Sequence, residues 1–334
     1  MFSESQKKLL EKQQYRFVGE HSAVKICGWT KKWIKGEGGC YKYKFYGIRS
    51  HQCLQMSTSM FCANRCIFCW RDVKAPVSKD WYGKADKPDL IIRGAIREHL
   101  KLLQGMRGNK KVNPKMHEQW KNIKHAALSL TGEPITYPLI NEIIDQFYKR
   151  RISTFLVTNG QYSEQIENLK FVTQLYISVD APDKKTMKKI DKPLFNDYYE
   201  RLLKSLEIMS KKEFRTCIRI TVIKGLNDFD LHGYKKLIEL GKPDFVEVKA
   251  YMLLGASRNV LRMGNMPYHS YIVEFSKKLV GVLSGYDIVD EHKPSRVVLL
   301  VRKSSQPFRY IHFKKFFEGK RKTGEYGSKT MQPN

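Results

Sequence analysis

An open or partial parallel barrel of the α/β class is the fold this 334-residue sequence predicts. Three observations carry that expectation. Near-continuous apolar or β-branched runs recur along the chain, amphipathic helical patterns separate them, and short polar insertions close the runs. Strands buried on both faces read as unbroken apolar runs, and parallel neighbours need a crossover helix. Six such units are counted, too few for the usual eight-unit barrel.

The N-terminal "MFSESQKKLLEKQQYRF" reads as a short polar helix and lacks the apolar h-region of a secretory signal. An aromatic, glycine-rich stretch follows, "KICGWTKKWIKGEGGCYKYKFYGIRSHQC", with Cys27, Cys40 and Cys53 thirteen residues apart. The first strand, at residues 53–60, runs into "MFCANRCIFCW". Residues 71–93 and 104–122 are longer excursions rich in Lys, Trp and Gly. Further strands are predicted at 125–132, 152–160, 172–180, 217–225 and 245–253. Helical patterns occupy 134–151, 161–170, 195–212, 230–241 and 267–284. "YDIVDEHKPSRVVLLVRKS" reads as a pair of edge strands. Residues 308–334 interleave aromatic with basic residues and then turn polar, which predicts a disordered end. The expected division is 1–52, 53–285 and 286–334: a cysteine-bearing N-terminal segment, the barrel core, and strands with a basic tail.

The formal charge of +28 opposes compaction unless the protein meets a polyanion. Nucleic acid is the leading candidate, through phosphate neutralisation and counterion release; a generally basic proteome is the bland alternative. No run approaches about eighteen consecutive apolar residues, so no membrane span is expected, and the location is expected to be cytoplasmic. Basic and aromatic residues together suit phosphate contact and base stacking, with Trp29, Trp33, Tyr41, Tyr43, Phe313 and Phe316 as candidates.

Seven cysteines in such a chain argue for metal or catalysis before disulfides. Cys217, alone in the apolar run "RTCIRITVI", is expected to be a core thiol. Cys62, Cys66 and Cys69 form a C-x3-C-x2-C run closed by Trp70. Structural zinc motifs pair two short knuckles, and this run lacks a second. Three thiolates on a cubane cluster leave one iron without a protein ligand, which is what chemistry needs. Cys27, Cys40 and Cys53 could hold a second cluster, or zinc completed by His51. In parallel α/β folds ligands bind at strand C-termini, where "TGEP", "TNG" and "SVDAP" fall.

The Cx3CxxC run with its adjacent aromatic resembles the signature of the radical S-adenosylmethionine (radical SAM) superfamily. That resemblance implies a partial (β/α)6 TIM-like barrel with an N-terminal cluster-binding segment and a basic C-terminal extension. Cys62, Cys66 and Cys69 would hold a 4Fe–4S cluster that binds S-adenosyl-L-methionine. "LTGEP" resembles the family's Gly-Gly-Glu-type element, with Thr131 in place of the first glycine; Thr131, Gly132 and Glu133 would receive the methionyl ammonium. Asn159, Ser178 and Asp180 would serve the ribose and carboxylate, joined by Arg219 and Thr221.

A closer resemblance covers about residues 20 to 300: the chain is similar to the archaeal 4-demethylwyosine synthase family of the wybutosine pathway. It rests on "CIFCWRD", "LSLTGEPITYP", "FLVTNGQ", "LYISVDAPD", "DKPLFNDYYERLLKSL", "RITVIKGLND" and "VEVKAYMLLGASRNVLRMGNMPYH". Where the family commonly has a His-Val-Gly-Tyr-like segment, this chain has "LLGAS". The resemblance implies condensation of N1-methylguanosine, next to the tRNA(Phe) anticodon, with two carbons of pyruvate. It implies a second 4Fe–4S cluster on Cys27, Cys40 and Cys53, and a Schiff-base lysine at Lys42, with Lys44 a neighbour on the same alternating run. An external one-electron donor such as ferredoxin or flavodoxin, and a monomeric state, are also expected. The rivals are a glycyl-radical activase, which would need neither +28 nor the second triple, and a zinc-dependent RNA-binding protein, which leaves the strand-end motifs idle.

Overall fold

The computed structural model describes residues 4–71, 75–106 and 108–332. Strands β1 (Arg16–Val18), β2 (Ser22–Val24), β3 (Cys53–Ser57), β4 (His125–Leu128), β5 (Ser153–Thr158) and β6 (Gln174–Ser178) run through the first half. β7 (Thr216–Val222), β8 (Phe245–Ala250), β9 (Tyr286–His292) and β10 (Val297–Arg302) complete one ten-stranded sheet in the order β1-β2-β3-β4-β5-β6-β7-β8-β10-β9. β3 to β8 are parallel throughout, the six strands expected. β2 pairs antiparallel with β3 and β1, and β10 pairs antiparallel with β8 and β9, so of the two C-terminal strands β10 is internal and β9 is an edge, β1 being the opposite one. No pairing closes the sheet among the described residues, and the fold is a partial barrel.

The helices are α1 (Glu4–Lys12), α2 (Gly28–Ile34), α3 (Tyr41–Tyr46), α4 (Pro88–Gln104) and α5 (Pro114–Gln119), then α6 (Ile140–Lys149), α7 (Ser163–Glu167), α8 (Lys184–Asp191) and α9 (Tyr198–Ser210). α10 (Leu231–Gly241), α11 (His269–Val282), α12 (Phe313–Phe317) and α13 (Thr323–Tyr326) follow. α6, α7, α9, α10 and α11 fall within the predicted helical stretches. α4 and α8 were not predicted: α4 starts inside the 71–93 excursion and runs to the start of the 104–122 one, and α8 is lysine-rich with few apolar positions.

Strand residues alternate between two cores. Leu54, Leu156, Ile177, Ile218 and Val248 face the crossover helices, burying against Ile91, Ile143, Leu206 and Leu279. Phe155, Tyr176, Cys217, Phe245 and Leu299 face inward, so Cys217 is the core thiol expected.

Two elements correct the sequence reading. "YKYKFY" is a helix, α3, whose Tyr41 and Phe45 enter the inner core. Positions two apart on a helix face opposite ways, so Lys42 and Lys44 part company: Lys44 turns outward to Asp290 at 2.7 Å. The C-terminal tail is ordered through its described residues. A two-stranded ribbon, β11 (Tyr310–Ile311) with β12 (Gly327–Ser328), brings Ile311, Phe316 and Tyr326 into the inner core. Arg215, fully buried at the start of β7, donates to the carbonyls of Phe308 and Arg309, and the Tyr326 hydroxyl donates to Thr173 O at 2.9 Å beside the start of β6. The tail therefore plugs the end of the barrel where the strands begin. Composition suggested disorder because its aromatics fill a lumen belonging to distant strands.

Candidate active site

With the strand starts plugged, the open end of the barrel is where the strands finish. One cavity of about 560 Å³ there is lined by both cysteine triples, Cys27, Cys40 and Cys53 with Cys62, Cys66 and Cys69, and by Lys42. Thr131, Gly132, Glu133, Asn159, Ser178, Asp180, Arg219 and Thr221 line it too, so every residue predicted for the site meets in one space. Among the described residues no three His, Cys, Asp or Glu side chains converge on a point able to hold a single metal ion.

The thiols are placed by element boundaries. Cys27 and Cys40 are the residues capping the N-termini of α2 and α3, and Cys53 opens β3. The loop carrying Cys62 to Cys69 has no regular structure and is pinned to the end of α8 and the residues just after it. Ile67 N donates to Ile190 O at 2.8 Å, Arg65 N to Asp191 O at 2.9 Å, and Leu194 N to Ala63 O at 2.8 Å. Gly132, at φ +69°, lies so close to this loop that a Cβ would sit 2.2 Å from Ser59 O. Burial pushes the thiols of Cys53 and Cys62 up to about 12. Cys40 is raised likewise to about 12, with Cys27 adding and Lys42 opposing, and Cys66 stands well above its ordinary value through burial and Asp191. Protonated sulfurs on a common wall are costly to ionise unless a positive centre binds them.

Glu133 is 2% exposed; its Oε2 accepts from Asn159 N at 3.1 Å, and its Oε1 has no partner among the described residues. Burial lifts this carboxyl to about 7 against the hydrogen bonds of Thr158 and Asn159. Thr131 Oγ1 likewise has no partner among the described residues. The Asn159 amide donates to Cys62 Sγ at 3.4 Å, tying this acidic corner to the cysteine loop. Asp180 accepts from Thr221 N at 3.0 Å and is raised to about 6 by burial, with Thr221 and Arg219 opposing. A half-satisfied buried carboxylate facing a cavity suits a cationic ligand.

Lys42 lies 4.4 Å from the centroid of the Tyr176 ring and 5.6 Å from that of Phe155. Its helix is fixed from below: Tyr41 and Tyr46 hydroxyls donate to the fully buried Glu247 at 3.0 and 2.9 Å. That burial removes Tyr41 from the base-stacking candidates, and Phe316, 1% exposed, goes with it. Trp33 and Tyr43 pack edge to face on each other, and Phe313 leans on His125; Trp29 lines the cavity. His51 does not line the cavity; its Nε2 pairs with Gln119 Oε1 at 2.8 Å.

Two residues escaped the sequence reading. Lys249 lines the cavity from β8, donates to Ser295 O at 3.0 Å, and is pushed down to about 8 by burial, with Arg219 helping. Its signal was present: Glu247 and Lys249 share one face of an otherwise apolar run. Asp191 is buried against Cys66 with Oδ1 unpartnered among the described residues, and is held well above the carboxylate range by burial and Asp180. "KIDKPL" gave no such hint.

Residues 56–238 match the family model for the radical SAM superfamily, and residues 240–302 match the model for wyosine base formation. A tRNA 4-demethylwyosine synthase of Oryza sativa subsp. japonica, SAM-dependent by name, is 47% identical over 88% of this chain and 45% of its own length. A solved structure of TYW1 with a lysine-pyruvate adduct bound superposes with a TM-score of 0.83 at 36% identity, covering 94% of this chain and 99% of that one. The chain belongs to the tRNA 4-demethylwyosine synthase family of radical SAM proteins. Another member of the family, an archaeal TYW1 crystal structure, gives a TM-score of 0.75 at 34% identity over 91% of this chain and 98% of its own. The chain spans about half the length of the curated family members it matches. Radical SAM family membership brings S-adenosylmethionine and an iron–sulfur cluster as the cofactors. No helix among the described residues is long and apolar enough to cross a membrane.

Proposed function

We propose that the chain joins N1-methylguanosine of tRNA(Phe) to two carbons of pyruvate, forming the tricyclic base 4-demethylwyosine. The observation that carries this is the meeting of both cysteine triples and Lys42 in one cavity. Cys62, Cys66 and Cys69 would hold the SAM-binding 4Fe–4S cluster, and Cys27, Cys40 and Cys53, in the 1–52 segment and at the head of β3, a second one. The protonated thiols fit that role, since loading releases their protons. When bound, cluster and SAM supply a carbon-centred radical able to take hydrogen from the N-methyl group.

The chain's own residues do the rest. Glu133, with Thr131 and the backbone at Gly132, would take the methionyl ammonium, and a bound cation would restore the charge that burial removes. Asn159, Ser178, Asp180, Arg219 and Thr221 would orient the ribose and carboxylate. The Lys42 amine would add to the keto carbon of pyruvate and expel water, leaving an imine; a lysine-pyruvate adduct in a solved relative supports this chemistry. Lys249 would hold the pyruvate carboxylate as a point charge. A separate donor, such as ferredoxin or flavodoxin, would supply the electron. In 286–334 the exposed Lys314 and Lys315 would be free to meet the tRNA body.

Borohydride capture tests the keto-acid step. With pyruvate present, the peptide carrying Lys42 is expected to gain a reduced pyruvyl group, and Lys42→Arg to lose both that adduct and the tricyclic product. Normal product from Lys42→Arg would transfer pyruvate to the second cluster. Stoichiometric zinc without iron would end the enzyme reading.

A further inference from the structure

The segment that follows β8 presents an unusual surface at the cavity mouth. Leu254, Val260 and Met263 are 52%, 52% and 62% exposed. Yet the segment is firmly built. Tyr251 OH donates to Ser257 Oγ at 2.7 Å, Ser257 Oγ to Leu254 O at 2.6 Å, and Arg262 N to Asn265 Oδ1 at 3.0 Å. Leu261, 3% exposed, anchors it beside Ile190, Ile223 and Tyr251. Gly255, at φ +56°, seats it on the cysteine loop, where a Cβ would lie 2.1 Å from Trp70 O. Apolar side chains held out to water on a rigid support mark a contact surface.

Charge and position select the occupant. Leu254 lines the active cavity, while Val260 lines a second hollow of about 180 Å³ beside it. Arg65, Arg71 and Lys192 line that hollow and, among the described residues, no carboxylate does; Arg258 and Arg262 stand exposed between the apolar side chains. Guanidinium groups alternating with apolar side chains match a single-stranded RNA loop, in which phosphates flank unstacked bases. We propose that Leu254, Val260 and Met263 form a wedge that fills the gap left in an RNA loop when the target base swings into the cavity, with Arg258, Arg262 and the cationic hollow holding the flanking phosphates. Base-extruding and kinking proteins use apolar wedges because the vacated stack otherwise recloses. The proposal rests on the reading of the chain as an RNA-modifying enzyme and adds how the base is kept out.

The probe is an anticodon stem-loop containing N1-methylguanosine with 2-aminopurine as its neighbour, mixed with the cluster-loaded full chain. Wild type is expected to raise the 2-aminopurine fluorescence as the stack opens. Val260→Ser/Met263→Ser is expected to lose most of that rise and to bind about tenfold more weakly, while RNA-independent SAM cleavage stays at the wild-type rate. Val260→Ile/Met263→Leu should restore both signals. A serine variant with wild-type fluorescence, affinity and turnover overturns the wedge. So does a variant whose only loss is reduction by an acidic protein donor, which would assign the surface to an electron carrier. A wild-type chain that neither binds the stem-loop nor forms the tricyclic base overturns the functional reading itself.

Discussion

Glu133 accepts from the Asn159 backbone N–H with one carboxylate oxygen, and the other has no partner among the described residues. Burial holds this carboxyl up at about 7, which ties cation binding to pH. A cationic ligand binds the ionised form, so affinity for S-adenosylmethionine should climb as pH rises toward about 7 and level off above it. Glu133→Gln should weaken binding roughly tenfold or more, the worth of a charge-assisted hydrogen bond, and flatten the pH dependence. Equilibrium binding of the cluster-loaded protein between pH 5.5 and 8.5 checks both; an unchanged profile would remove Glu133 from the ligand set. At this scale the sequence was legible where spacing carries chemistry. Six of the seven cysteines reach the cavity, and so do the strand-end residues, because a parallel fold sends strand ends to one face. Lys249 and Asp191 were not, since their significance lies in what distant segments bring beside them.

α3 carries Cys40 at its cap and Lys42 in its first turn, so its seat on β8 sets where both point. That seat is polar: two tyrosine hydroxyls on one buried carboxylate, with Arg219 nearby in charge. Tyr46→Phe keeps the ring in its place against Phe245 but strips a donor from Glu247. Leaving that buried oxygen bare should cost about 1–3 kcal/mol. Urea denaturation should register the loss, with pyruvate capture at Lys42 reduced alongside; stability equal to wild type would show that the pair does not hold the helix. The alternation of "YKYKFY" placed Lys42 and Lys44 on one run, and the helix separates them for a definable reason. Six residues closed by a left-handed glycine, Gly47 at φ +86°, pack as a helix once Tyr41 and Phe45 have an inner core to enter.

Across the whole molecule, no pairing among the described residues closes the six parallel strands, and residues 308–328 plug the end where those strands begin instead. A chain ending at residue 302 would lose Ile311, Phe316 and Tyr326 from the inner core and leave Arg215 buried without its carbonyl partners. Large buried side chains are worth about 3–5 kcal/mol each, so the shortened chain should unfold far below the full-length temperature or fail to fold. Cooperative melting at the full-length temperature would contradict the plug. The same geometry means that weak tRNA binding by a shortened chain would report lost structure before lost contacts. The barrel core could be read from the sequence because parallel strands and their crossovers are periodic. The plug could not, because an aromatic, basic tail is disordered or a core according to what lumen it meets.

Both ends of the molecule then serve one cavity: the tail closes the barrel behind it, and the N-terminal thiols and Lys42 furnish its wall. The most direct measurement is an anaerobic reaction of the cluster-loaded chain with SAM, reductant, isotopically labelled pyruvate and tRNA carrying a deuterated N1-methylguanosine. Mass spectrometry should find deuterium in the 5′-deoxyadenosine released and a tricyclic base holding two pyruvate carbons. Reductive cleavage of SAM with neither deuterium transfer nor labelled base would contradict the account.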